Sequence, residues 1–312
     1  LIGDKMKFVA ILLTLFSLSA LAQENIYIQS PYSASHGGVP AYLKIVEEAN
    51  KIQDTYKFHL EHRPGGQQII AVNEMDRSPQ DRLSIIAPKY VEHTVSGRLD
   101  RSKYDPIHAL GDACWVVISN LGDETVGVAS LHGETSLNVG GVGIGNATHL
   151  TSLQLGDQFG FDVNYVVFKS NYEGLILMAG DGSINLVVEK VKNLKQIKEK
   201  NPAIKPLATS CPTRHPDLLE VATLREQGVL TPFVFNITVA NTEMPLEKRN
   251  ALGDILNQAT LNVGEETIQQ LSDMKPPVFF DKDVDEFYNE SIELIEQLLE
   301  KHADNIAKAK QG

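Results

Sequence analysis

From residue 25 onward the chain alternates short apolar runs with stretches of helical period. Asn25 to Ser30 (NIYIQS) sets Ile26 and Ile28 between polar neighbours ahead of Pro31, which predicts a strand. Val39 to Gln53 carries Pro40 in its first turn and Leu43, Val46 and Ala49 at helical spacing, which predicts a helix. Phe58 to Glu61 predicts a second strand, closed by the turn signal Arg63-Pro64-Gly65-Gly66. A helix over 69–75 and a third strand over 82–87 follow. Strand, helix, strand, helix, strand implies a parallel sheet with ligands outside the carboxyl ends of its strands.

Tyr104-Asp105-Pro106 opens a predicted loop, and the nearly continuous apolar run 113–119 (ACWVVIS) predicts a strand buried on both faces. After Gly122-Asp123 the rhythm restarts, with strands expected over 137–142, 163–168, 183–188 and 204–209 and helices over 147–159, 173–179 and 194–199. A second apolar run, 233–240 (FVFNITVA), mirrors the first. The two bracket the second unit and are expected to be the strands that cross between domains. The tail, 245–261 and 284–308, reads as helical, with Phe287, Ile292, Ile295 and Leu298-Leu299 on one apolar face. The expected fold class is therefore α/β with two domains, each a mainly parallel sheet flanked by helices. Residues 23–124 plus 231–312 form the first and 125–230 the second.

Composition fits that picture. A chain of 312 residues, 42% hydrophobic and 22% charged, is long enough for two cores. A formal net charge of -12 opposes a nucleic-acid partner, although a local nest of N–H groups still binds a small anion. Met6-Lys7, the apolar run 8–18 and Ala20-Leu21-Ala22 match an export signal, with cleavage expected after Ala22 and Leu1 to Lys5 lying upstream of the start. The apolar run is shorter than the ~20 residues of a bilayer span. Removing residues 1–22 takes away Asp4, Lys5 and Lys7 and leaves a formal charge of -13 on an exported, soluble, monomeric chain. Cys114 and Cys211 are few for a secreted protein, and either a single bridge or two separate buried thiols fits them.

Candidate chemistry concentrates in Leu137 to Leu153 (LNVGGVGIGNATHLTSL), which reads as strand, glycine loop and helix start. Glycines let the backbone approach a ligand, and a helix N-terminus offers unpaired N–H groups to a carboxylate or phosphate. Dinucleotide binding wants a further glycine where Asn146 stands, and the Walker form wants Gly-Lys-Ser/Thr, which is absent. The opposing loop is expected to be Ser30 to Gly38 (SPYSASHGG). His36 and His149 fit a polar lining better than a general base, because no nucleophile elbow occurs. His59 and His62 would face opposite sides of a strand, so no metal is expected, and no cofactor either. Lys169 and Glu189 follow predicted strands, where a charge is more often solvated than a ligand contact.

The order of these features resembles the solute-binding proteins of tripartite tricarboxylate transporters, the Bug family, over about Asn25 to His302. Its carriers are Pro31 with Gly37-Gly38, Glu61-His62-Arg63-Pro64-Gly65, Tyr104-Asp105-Pro106, Gly143-Ile144-Gly145-Asn146-Ala147-Thr148-His149-Leu150, and Ala208-Thr209-Ser210 with Arg214-His215-Pro216. The resemblance implies a periplasmic two-domain clam-shell, type II-like, that captures a small organic carboxylate and delivers it to membrane transporter subunits without chemistry on the ligand. An exported sensor using the same cleft is the alternative. Carried over by position, the first-domain contacts are Tyr32, Ser33, Ser35, His36, Gly37 and Gly38, and the second-domain contacts Asn146, Ala147, Thr148 and His149. Departures are Val39-Pro40 in place of an Asp, Lys169-Ser170-Asn171-Tyr172 in place of Pro-Tyr-Lys-Gly, which adds Lys169 near the cleft, and a run at Gly65-Gly66-Gln67-Gln68 poorer in glycine than the family form.

Overall fold

A computed structural model describes residues 23–34, 38–199, 201–211, 213–232, 234–280 and 282–311. The expected export signal at 1–22 and the candidate contacts Ser35, His36 and Gly37 lie outside the described residues. The strands are β1 (Glu24–Ser30), β2 (Tyr56–His62), β3 (Arg82–Ile86), β4 (Tyr104–Ala113), β5 (Trp115–Ser119), β6 (Ser136–Gly141), β7 (Asp162–Val167), β8 (Leu186–Lys190), β9 (Lys205–Thr209), β10 (Phe235–Asn241) and β11 (Met274–Lys275). They form two sheets, ordered β11-β4-β10-β3-β1-β2 and β7-β6-β8-β5-β9.

In the first sheet β2, β1 and β3 are parallel, and β10 runs antiparallel between β3 and β4. One face buries Tyr42 and Ile45 of helix Val39–Ile52 with Leu252 and Leu256 of helix Leu246–Val263. The other face buries Met75 of helix Ile69–Arg77, Tyr90 and Val91 of helix Lys89–Val95, and Ile292 and Ile295 of helix Val284–Lys301. In the second sheet β6, β7 and β8 are parallel and β5 is antiparallel to both of its neighbours. Along β5, Val117 packs on the face covered by helix Ala147–Phe159, while Val116 and Ile118 pack on the face covered by helix Asn171–Gly180. That alternation is the burial on both faces expected of an apolar run, and each such side chain contributes roughly 1.5–3 kcal/mol.

The run 113–119 is divided between the sheets: Ala113 ends β4 in the first and Trp115 opens β5 in the second, so the chain crosses at Cys114. It returns between β9 and β10, beginning at Ser210 and Cys211. Cys114 and Cys211 form a disulfide with Cα atoms 4.6 Å apart, which joins the two crossings. Flanking it, the Trp115 N–H donates to Ser210 Oγ at 3.0 Å and the Ser210 N–H to the Trp115 carbonyl at 2.8 Å.

The loop expected at Tyr104-Asp105-Pro106 is instead the start of the ten-residue β4. A proline inside a paired strand removes a donor, and it is tolerated at a bulge. Here the register against β10 shifts between Thr238 and Val239, and Val239 is the partner of Pro106. The continuous tail helix expected over 284–308 is broken at His302, where helix Val284–Lys301 gives way to Ala303–Ala309.

Candidate functional site

The glycine loop joins β6 to helix Ala147–Phe159. Gly143 and Gly145 have φ of +67° and +76°, left-handed values that favour glycine. Gly141 is required by proximity: a Cβ there would stand 2.1 Å from the Tyr165 hydroxyl. Asn146 then caps the helix, its Oδ1 accepting the His149 N–H at 2.9 Å and the Thr148 hydroxyl at 2.9 Å. Its Nδ2 donates to the Val142 carbonyl. The Thr148 hydroxyl also lies 3.1 Å from the Tyr165 hydroxyl.

His149 is 1% exposed and its ring stacks on Tyr165 with centroids 4.1 Å apart. The Gly145 N–H donates to its Nδ1 at 3.0 Å, so the neutral ring carries its proton on Nε2. Burial, with the charges of His302 and Lys89 adding to it, lowers its pKa to about 4. His149 thus braces the glycine loop as a neutral ring. It also lines a groove of about 1010 Å³ that runs along β7 and is walled on its far side by Asn305 and Lys308.

The side chains of Asn146 and Thr148 are engaged locally, which leaves the backbone and the Nε2–H of His149 as donors. Ala147 and Thr148 occupy the first two helical positions, where no intrahelical acceptor exists. Their N–H groups donate to no described residue, although Ala147 and Thr148 are only 5% and 4% exposed. Two buried N–H groups at a helix start, with the positive end of the helix dipole behind them, suit an anion.

In the first domain, half-buried Tyr32 donates its hydroxyl to Asn236 Oδ1 at 3.0 Å. Asn236, 1% exposed on β10, donates through Nδ2 to the Met274 sulfur at 3.2 Å. A Cβ on Gly38 would come within 2.7 Å of that Nδ2, so glycine lets the loop settle onto Asn236. Ser33 is exposed. Lys169 is exposed as well, and its backbone N–H donates to Glu173 Oε2 at 3.1 Å. Glu189 is 6% exposed at the end of β8 and accepts the Lys190 N–H at 2.7 Å.

Among the described first-domain groups that reach the glycine loop is Lys89, which follows β3. Its Nζ donates to the Ile144 carbonyl at 2.8 Å and pairs with Glu92, whose carboxylate would meet a Cβ on Gly145 at 3.3 Å. The carboxyl ends of β3 and β6 therefore face each other, and the loop after β1 emerges beside β3 because the two strands are adjacent and parallel. Lys89 stands one position further past its strand than Lys169 does past β7, so the rule that selected Lys169 extends to it. Asn236 also left a signal in the sequence, as a polar residue inside an apolar run. Tyr165 left none. Among the described residues no three or more His, Cys, Asp or Glu side chains gather as a metal site, and no helix is long and apolar enough to cross a membrane.

No protein-family model and no curated protein matches this chain. Solved structures do. A TctC solute-binding protein from Polaromonas, without ligand, superposes with a TM-score of 0.72 at 15% identity, over 90% of this chain and 100% of that one. A Rhodopseudomonas palustris protein solved with adipate gives 0.65 at 17% identity, over 93% and 98%. MatC from the same organism, with bound malate, gives 0.62 at 15% identity, over 88% and 99%. The likeness spans nearly the whole of each chain, and the two-domain α/β architecture is that of these solute-binding proteins.

Proposed function

We propose that this chain is a periplasmic solute-binding receptor, not an enzyme, that holds a small organic carboxylate between its domains and delivers it to a tripartite tricarboxylate-type membrane transporter. The observation that carries this reading is the pair of N–H groups of the buried residues Ala147 and Thr148, which have no acceptor among the described residues. Left without an acceptor, such groups cost about 1–3 kcal/mol each, and a carboxylate relieves that cost through hydrogen bonds strengthened by its charge. A phosphate would suit them too, but the fold is shared with proteins solved with adipate and malate, which favours the carboxylate. The loop 30–38 forms the other jaw, and Lys169 a charge at the rim. The disulfide supports an oxidising compartment and hence export.

Closure is stabilised when one ligand touches both domains at once. Calorimetry of the chain lacking residues 1–22 against mono- and dicarboxylates tests the reading. Micromolar binding of at least one acid, lost on esterification of its carboxylate, is the expected result. Binding of neutral sugars or metal ions with no acid bound would sink it.

A further inference from the structure

The C-terminal segment touches both domains. Helix Val284–Lys301 belongs to the core of the first, yet Leu150 and Leu153 of the second domain's helix Ala147–Phe159 enter the same apolar cluster. Where helix Val284–Lys301 ends, Gln154 Oε1 of helix Ala147–Phe159 lies 2.6 Å from Lys301 Nζ and 3.0 Å from His302 Nε2. Lys301 also pairs with Asp157 at 2.8 Å. His302 is 2% exposed, so this junction is a buried anchor on the second domain. Helix Ala303–Ala309 then carries the chain back, and Lys310 pairs with Glu92 Oε1 of the first domain at 2.9 Å. The other oxygen of Glu92 holds Lys89, which in turn holds the Ile144 carbonyl of the glycine loop.

We propose that residues 301–310 form a strap across the two domains, acting through Glu92 and Lys89 to hold the glycine loop against the first domain and so set the free energy of opening. The exposed pairs do little by themselves, since Lys301 and Asp157 are 49% and 43% exposed. The weight falls on Lys89 and Glu92, at 12% and 20% exposed, which hold their pairing in a less polar setting. Lys310 keeps Glu92 turned toward Lys89, and Lys89 is a positioning residue for the loop. The strap rests on the two-domain fold and not on any ligand, so an acid panel that bound nothing would leave it standing.

The test is amide hydrogen exchange of the ligand-free chain, with and without Lys310→Ala and, separately, Lys89→Met. Lys89→Met is expected to speed exchange of the hydrogen-bonded Gly145 and His149 amides at least tenfold, and Lys310→Ala in the same direction by less, while β10 keeps its protection. Spin labels on Leu43→Cys and Leu177→Cys should report a broader interdomain distance distribution in both variants. Unchanged exchange of the Gly145 and His149 amides with an unchanged distance distribution overturns the proposal. So does equal loss of protection in β10, which would make these residues part of the first core and nothing more.

Discussion

The Asn146 side-chain oxygen lies 2.9 Å from the backbone nitrogen of His149 and fixes the angle at which the glycine loop enters its helix. The same oxygen takes the Thr148 hydroxyl, so one residue orders the donor pair of Ala147 and Thr148. Asn146→Ala is expected to cost about 1 kcal/mol in urea unfolding and to weaken carboxylate binding more than tenfold. Asn146→Asp keeps the cap to His149 but loses the donor to the Val142 carbonyl, so it should also cost some stability, and it should lose the binding because it sets a negative charge beside the anion.

Ala147→Pro isolates the backbone donor. Pro is tolerated at the first helical position, and Asn146 has φ -81° and ψ 174°, extended values that a following proline accepts. One N–H disappears with little else changed. Affinity is expected to fall by roughly 1.5–3 kcal/mol, the range for a hydrogen bond to a charged group, with the circular dichroism spectrum unchanged. Equal affinity in the two proteins would show that this N–H does not meet the ligand.

Asp112 gives a pH prediction. It is 8% exposed at the end of β4 and accepts the Val234 N–H at 2.8 Å, tying the two crossings together. Burial raises its pKa from 3.8 to about 7, against the lowering effect of backbone hydrogen bonds from Val234 and Ala113. The folded value lies above the unfolded one, so this group's contribution is full below 3.8 and is lost as pH rises through 7. Asp112→Asn keeps the acceptor and removes the ionisation. Its Tm should exceed that of the parent at pH 8 and match it at pH 4; equal values at pH 8 would refute the assignment.

The disulfide closes the second sheet into its own covalent loop, because Cys114 and Cys211 are 97 residues apart. A loop of that length stabilises by about 4.7 kcal/mol in the chain-entropy account. Cys114→Ala with Cys211→Ala is expected to cost about 2–5 kcal/mol in guanidinium unfolding, and dithiothreitol should lower the Tm of the parent but not of the double variant.

Gln67 and Gln68 hold φ of +54° and +82° in the run that is poorer in glycine than its counterparts. A left-handed non-glycine residue costs about 1–2 kcal/mol, and the buried Gln68 Oε1 has no partner among the described residues. Gln68→Gly is expected to raise stability by about 0.5–1 kcal/mol after the entropy of glycine is counted, read from the urea midpoint.

The sequence by itself determined what depends on near neighbours. Period-2 and period-3.6 patterns located most strands and helices, because a side chain's direction repeats within a few residues whatever the fold. The glycine loop and the helix start at Ala147 were legible for the same reason, since left-handed turns and caps are local chemistry. Pro106 misled because its tolerance in β4 depends on a bulge made by Val239, more than a hundred residues away. Tertiary structure alone decided that Cys114 meets Cys211, that Asn236 receives Tyr32, and that Lys89 and Lys310 converge on Glu92. It also decided that Asn146 and Thr148 spend their side chains on the loop, leaving the backbone as donor. Pairings across such separations follow from strand order and crossover position, which no short-range periodicity encodes.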